Sequence, residues 1–218
     1  MKTNLSPLKK FLKHLAVVIL FLTLPTGFAQ NSAKTSDMVE NSIAVNSSLD
    51  EAWLVLADFA GVGNFHVLYE ETRPINGTPA LASLGAERES LMPNGNYNTI
   101  LKERIVNLVE GSQYTYEVYD SENTSLETMQ VTYGVRTAVD GRVFIYSRLT
   151  YEMGSLVQNN LVKRKFNRDN RNSLMSYKYY IETGETEKDL KKLKKWFKEN
   201  EKSVTTDDFL ATNTLLIE

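Results

Sequence analysis

The chain has 218 residues, of which 42% are hydrophobic and 24% charged, the proportions of a globular protein and not of a disordered one. It carries no cysteine, which excludes disulfides, thiolate metal sites and a catalytic thiol. The formal net charge is −2, so the overall balance offers nucleic acid no attraction.

The N-terminus reads as a secretory signal. Lys2, Lys9, Lys10 and Lys13 form a basic region, and Leu15 to Leu24 (LAVVILFLTL) an apolar one. Gly27-Phe28-Ala29 sets cleavage after Ala29. The apolar run is too short for the roughly 20 residues that span a bilayer. Cleavage takes four lysines from the 25 Lys+Arg, leaving 21 against 27 Asp+Glu, a net −6. An exported protein, periplasmic or extracellular and soluble after cleavage, is therefore expected, with no nucleic-acid partner.

Residues 30–37 form a polar lead-in. Met38 to Val45 alternates apolar and polar, a strand signal. Ser48 with Glu51 three residues on is a capping box, and it opens a helix with Leu49, Trp53, Leu56 and Phe59 on one face. Six strands follow: Val67 to Ile75, Ala86 to Met92, Tyr97 to Leu108, Gln113 to Tyr119, Leu126 to Thr137 and Arg142 to Tyr151. NGTP, PNGN, EGS, DSENTS and DG separate them, and such short turns predict an antiparallel sheet. A helix over about 154–183 comes next, its stripe running through Leu161, Phe166, Leu174, Tyr177 and Ile181, with Gly184 as C-cap. One long helix against one antiparallel sheet is an α+β arrangement, with room for a small ligand between the layers.

Residues 185–218 add a basic amphipathic helix and a tail. ETEKDLKKLKKWFKEN places Leu190, Leu193 and Phe197 on one stripe and lysines opposite. Docking on the domain's own body is the expectation. A weak contact of 186–199 with anionic lipid headgroups is the alternative.

The ordered set VNSSLDEAWLVLADFAGVGNFH, GAERESLMPNG, LKERIVNLVEGSQYTYEV and SLMSYKYYIETGE resembles the START-related superfamily. That group includes birch-pollen-allergen-like proteins, bacterial polyketide cyclase/dehydrase-like proteins and plant abscisic-acid receptors. The resemblance covers about residues 38–184. It implies a curved antiparallel sheet wrapped around a long C-terminal helix, the helix-grip fold, with an internal cavity. In the hormone receptors an Arg and a Glu on successive strands join a water-bridged polar network around the ligand, and Arg88 and Glu103 match those positions. The receptors' cavity lysine falls on His66, which resemblance places near the cavity mouth. The receptors' phosphatase-recruiting loops are not recognisable in this sequence.

Residue patterns alone leave Arg88 and Glu103 two readings, a cavity pair or an exposed cross-strand pair contributing about 0–1 kcal/mol. Tyr114, Tyr116 and Val118 share a strand face, as do Phe144, Tyr146 and Arg148. Such rings suit a core or a cavity wall. The expected ligand-binding set is His66, Arg88, Glu103, Tyr116, Tyr146, Leu174 and Tyr177. The expected function is binding of a small hydrophobic molecule, a lipid or polyketide-like compound, with no cofactor and no metal. A cyclase/dehydratase-type enzyme using the same cavity is the alternative. A third reading is an interaction module whose interior is plugged by its own side chains. Serine-hydrolase, metalloprotease and EF-hand motifs are absent.

Overall fold

The computed structural model describes residues 36–200. The expected signal segment and most of the polar lead-in lie outside the described residues, as does the tail from 201 onward.

Seven strands form a single curved sheet, antiparallel at every pairing. They are β1 (Asp37–Val45), β2 (Glu71–Pro74), β3 (Glu87–Asn94), β4 (Tyr97–Val109), β5 (Gln113–Glu122), β6 (Leu126–Thr137) and β7 (Val143–Met153). Their order is β1-β7-β6-β5-β4-β3-β2. Four hairpins therefore account for β3 to β7, and β1 closes on β7 with Ile43 opposite Ile145. Helix α1 (Leu49–Leu56) begins with the capping box read from the sequence: the Ser48 hydroxyl accepts from the Glu51 N–H at 3.2 Å, and the Glu51 carboxylate accepts from the Ser48 N–H at 3.1 Å. Helix α2 (Leu156–Thr183) lies across the concave face, with Ser155 as N-cap and Gly184 as a left-handed C-cap, φ 69°. This is the helix-grip α+β arrangement.

The core fills the space between sheet and helices at the α1 end. Trp53, Leu56, Phe59, Tyr114, Val135 and Ile145 are all buried there. Helix α2 presents Val162, Phe166, Asn170, Ser173, Leu174 and Tyr177 to the sheet side, steps of three and four residues that keep one face. Leu161 is not on that face and is 74% exposed, because five residues to Phe166 is out of helical phase.

Two further departures from the sequence reading have local causes. β2 starts at Glu71, not Val67, because Tyr69 N–H turns back to the His66 carbonyl at 3.3 Å and breaks the extended run. A 3-10 turn (Gly61–Asn64) precedes that bend, so the chain from Phe59 to Tyr69 folds inward as a plug. β4 and β5 carry register shifts on either side of Glu103, between Lys102/Glu103 and Ile105/Asn107. Bulges of this kind bend a sheet and re-aim its side chains.

Helix α3 (Leu190–Asn200) packs on the C-terminal end of α2. Leu193 is completely buried, and Trp196 meets Tyr179 edge-on at 5.1 Å between ring centroids. Lys188 Nζ donates to the Gly63 and Glu70 carbonyls at 2.8 and 2.9 Å, tying the segment to the inward plug. Lys191, Lys194, Lys195 and Lys198 face solvent. No helix among the described residues is long and apolar enough to cross a membrane.

Candidate functional site

A cavity of about 860 Å³ opens between sheet and α2. Its rim is made by the β3–β4 turn (Pro93 to Tyr97), the β5–β6 turn (Asn123 to Leu126) and the N-terminal half of α2, with Lys165 and Asp169. Its walls are apolar: Leu101, Met129, Val131, Leu149, Met153 and Phe166. Its inner end is polar, formed by Tyr69, Glu103, Tyr116, Tyr133, Asn170 and Ser173. The segment from Phe59 to Tyr69 fills the α1 end and leaves this cavity open.

β3 and β4 set the charged pair. Arg88 and Glu103 are register partners on adjacent strands and are 1% and 0% exposed. Arg88 Nε donates to Glu103 Oε2 at 2.5 Å, and Ser90 Oγ donates to the same oxygen at 2.5 Å. Arg88 Nη1 donates to the Phe59 carbonyl, and Nη2 lies 3.4 Å from the Tyr69 hydroxyl. The guanidinium also stacks over Phe59 (4.2 Å), Tyr116 (5.0 Å) and Tyr69 (5.3 Å). Burial works against the Arg88 charge. Glu103 and the tyrosine oxygens outweigh it, and the pKa stands well above the usual arginine value. Glu103 Oε1, by contrast, is buried with no partner and belongs to the carboxylate that lines the cavity.

Behind the inner end runs a second polar chain. His66 is completely buried. Its Nδ1 accepts from the Leu68 N–H at 3.2 Å, so the neutral ring carries its proton on Nε2. Nε2 lies 2.7 Å from Ser173 Oγ, and Ser173 Oγ lies 2.6 Å from the Tyr133 hydroxyl. Burial, then the charges of Arg88 and Lys188, push the His66 pKa down to about 3. The Ser173–His66 contact has the spacing of a nucleophile and its base. Its proton order is the reverse, because the imidazole donates to the serine and cannot take its proton. Burial, the largest influence, raises the pKa of Tyr133 and of Tyr116, so both keep their phenolic protons.

Of the residues expected from sequence, Glu103 and Tyr116 line the cavity, and Arg88 stands directly behind Glu103. His66 is not at the mouth. The turn after the 3-10 segment carries it behind Ser173 and Tyr69, 4.7 Å from the Tyr69 ring. Leu174 and Tyr177 are buried on the sheet-facing side of α2 but support the floor from below without lining it, Tyr177 packing 5.3 Å from Tyr133. Tyr146 is outside the cavity. On β7 the residues that face inward are Ile145, Ser147, Leu149 and Tyr151, so Tyr146 lies on the opposite face. There its ring covers Gly134, where an added Cβ would meet it at 2.5 Å, and its hydroxyl donates to Gln113. Sequence reasoning missed Tyr133, Ser173, Asn170 and Ser90. Tyr133 keeps the alternation of Val131 and Val135, and Ser173 is one turn from Tyr177 on α2. Those phases are the only signal they give.

No protein-family profile matches the sequence, and no curated protein matches it. Solved structures do. A START superfamily protein from Mycobacterium smegmatis is similar with a TM-score of 0.56 at 10% identity, over 66% of this chain and 96% of that one. The di-domain ARO/CYC StfQ of the steffimycin biosynthetic pathway gives 0.56 at 12% identity, over 68% of this chain and 51% of that one. A Thalictrum flavum norcoclaurine synthase point mutant in complex with a transition-state analogue gives 0.53 at 12% identity, over 67% and 94%. The chain thus has the helix-grip fold of START superfamily and aromatase/cyclase structures, and at these identities the likeness is one of fold.

Proposed function

We propose that the protein binds one small, largely hydrophobic molecule in this cavity and does not transform it. The observation that carries the reading is the cavity itself, with apolar walls, an open rim and a polar inner end that its own side chains leave unfilled. Its volume is in the range of small-molecule sites, which pair apolar linings with a few placed polar groups. Lipids and polyketide-like compounds are the classes such a lining suits. Native mass spectrometry of protein purified gently from its host is expected to show an adduct of small-molecule mass that organic extraction removes. A ligand-free spectrum, together with failure to bind an apolar probe such as ethylnaphthalene, overturns the reading.

One observation favours a second reading, a cyclase/dehydratase-type enzyme. The unpartnered Glu103 Oε1 is a buried carboxylate oxygen on a residue that lines the cavity, and a carboxylate so placed is a candidate general base. Turnover of a polyketide-like substrate, lost on Glu103→Gln, would support it.

Export is the other part of the proposal. It rests on the basic and apolar N-terminal regions and on Gly27-Phe28-Ala29. Mass analysis of protein recovered from outside the host cytoplasm is expected to give Gln30 as its first residue. Recovery starting at Met1 counts against a cleaved signal. Membrane-surface contact by 186–199 is not part of this reading, since Leu193 and Phe197 already pack on the domain.

A further inference from the structure

We infer that the outward face of α2 is a docking surface for a bilayer of anionic lipid, held there mainly by charge. The inference goes beyond the binding reading and is tested independently of it.

The charge of the described residues is divided between two sides. Residues 36–155, which carry the sheet and α1, hold 17 Asp and Glu against 7 Lys and Arg, a net −10. Residues 156–200, which carry α2 and α3, hold 12 Lys and Arg against 6 Asp and Glu, a net +6. An acidic molecule thus has one basic side, and a charged surface would orient it.

On α2 the cations form a stripe. Leu161, Arg164, Arg168 and Arg171 follow one another at steps of three and four residues, all exposed, on the side away from Val162, Phe166 and Asn170. Arg164 has no carboxylate partner among the described residues. Arg168 shares Asp169 with Lys165, at 3.2 and 2.7 Å, so that one carboxylate serves two cations. Trp196 seats α3 on Tyr179 at the other end of α2. There Lys191, Lys194 and Lys198 add to the field, also without carboxylate partners among the described residues. Like charges at such spacings repel along a helix, a cost that an anionic partner removes. The buried Leu193 is already spent on the domain, so α3 contributes charge without insertion.

Two observations favour a bilayer over a soluble anion or an acidic protein. The first is extent. The 28 residues of α2 run for about 42 Å, and the cations are strung along the helices instead of converging on one point. The second is Leu161, 74% exposed, with Arg164 and Lys165 one turn on and Arg168 two turns on. A headgroup layer over acyl chains accommodates cations and an apolar side chain together, whereas an acidic protein surface would leave the leucine wet. The same turns of α2 present Val162 and Phe166 to the cavity, so a docked molecule would hold its mouth beside the lipid.

Cosedimentation with vesicles tests the surface, using wild type and variants expressed as the full chain and recovered from the host in the same way. Wild type is expected to bind equimolar phosphatidylglycerol and phosphatidylcholine at least about tenfold more tightly than pure phosphatidylcholine. Salt is expected to weaken that binding, as the Debye length falls from about 10 Å at about 0.1 M to about 3 Å at about 1 M. Each cation near an anionic surface contributes about fivefold in affinity, so Arg164→Gln with Arg168→Gln is expected to lose at least about tenfold. Its melting temperature is expected to stay close to that of wild type, because both side chains are exposed. Arg142→Gln, on the β6–β7 turn, is expected to bind vesicles as wild type does. Equal binding to the two vesicle types overturns the inference, and so does an equal loss in Arg142→Gln and the double variant. Retention on immobilised polyglutamate without vesicle binding would assign the face to an acidic protein and overturns it. Salt-sensitive oligomers without vesicle binding would assign it to the acidic sheet of a second copy, with the same consequence.

Discussion

Replacing Arg88 with alanine is expected to destabilise the fold by about 3–5 kcal/mol. The pair is buried, at 1% and 0% exposure, and without Arg88 the Glu103 carboxyl would be left there with Ser90 as its remaining hydrogen-bond partner. The substitution also removes the donor to the Phe59 carbonyl and the cation that stacks on three aromatic rings. Replacing both partners with apolar residues, Arg88→Met with Glu103→Leu, is expected to recover much of the loss, since neither charge is then stranded. Chemical denaturation of the four proteins in a double-mutant cycle gives the coupling directly. A coupling near zero would mean that water solvates the pair, which would remove the polar anchor from the candidate site. This pairing deserves its position between two bulges: the sheet bends where the charge must be aimed.

Acid is expected to weaken the protein well above the range where carboxylates protonate. Unfolded His66 titrates near its ordinary 6.5, while burial and the nearby cations hold the folded group at about 3. Between these values the unfolded chain takes up a proton that the folded chain refuses. The His66 contribution is therefore complete above pH 6.5 and is lost as pH falls toward 3. The slope approaches about 1.4 kcal/mol per pH unit, so roughly 2 kcal/mol is lost by about pH 5. Urea unfolding of the wild type and of His66→Gln across that window isolates the term. The variant is expected to be less stable at neutral pH but to have a flatter profile. Parallel profiles would mean that the folded imidazole accepts the proton, and that the Leu68-to-Ser173 hydrogen-bond order is wrong.

The fold was legible in the sequence because each element announces itself locally. Alternation marks the strands, Ser48 with Glu51 marks the start of α1, and Gly184 marks the end of α2. The charged pair was legible through resemblance, and its register follows from the two-residue turn at Gly95-Asn96. Orientation was the harder part. A period of two separates the faces of β7 without saying which is inward, and Ser147 and Tyr151 look no more interior than Phe144 and Tyr146. The inward face was decided by α2, whose Asn170 reaches Ser147. His66 was misplaced for a related reason. An apolar run from Val67 to Tyr69 reads as strand, but a backbone turn there carries both rings inside. Tyr133 and Ser173 belong to no motif, and their role arises only from the hydrogen bonds that meet at them.

The boundary of the sheet at β2 has a consequence for how this protein behaves among copies of itself. An unpaired strand edge is a template on which another chain can extend the ladder. Here the outermost strand is four residues long, ends at Pro74 and carries Glu71 and Arg73. Where β2 stops short, the next strand continues with Pro93, a residue with no N–H to lend. Lys188 caps the carbonyl of Glu70 just ahead of the strand. A would-be partner strand therefore finds few donors, fixed charge and a covered start, and this side of the molecule is shielded from runaway self-association.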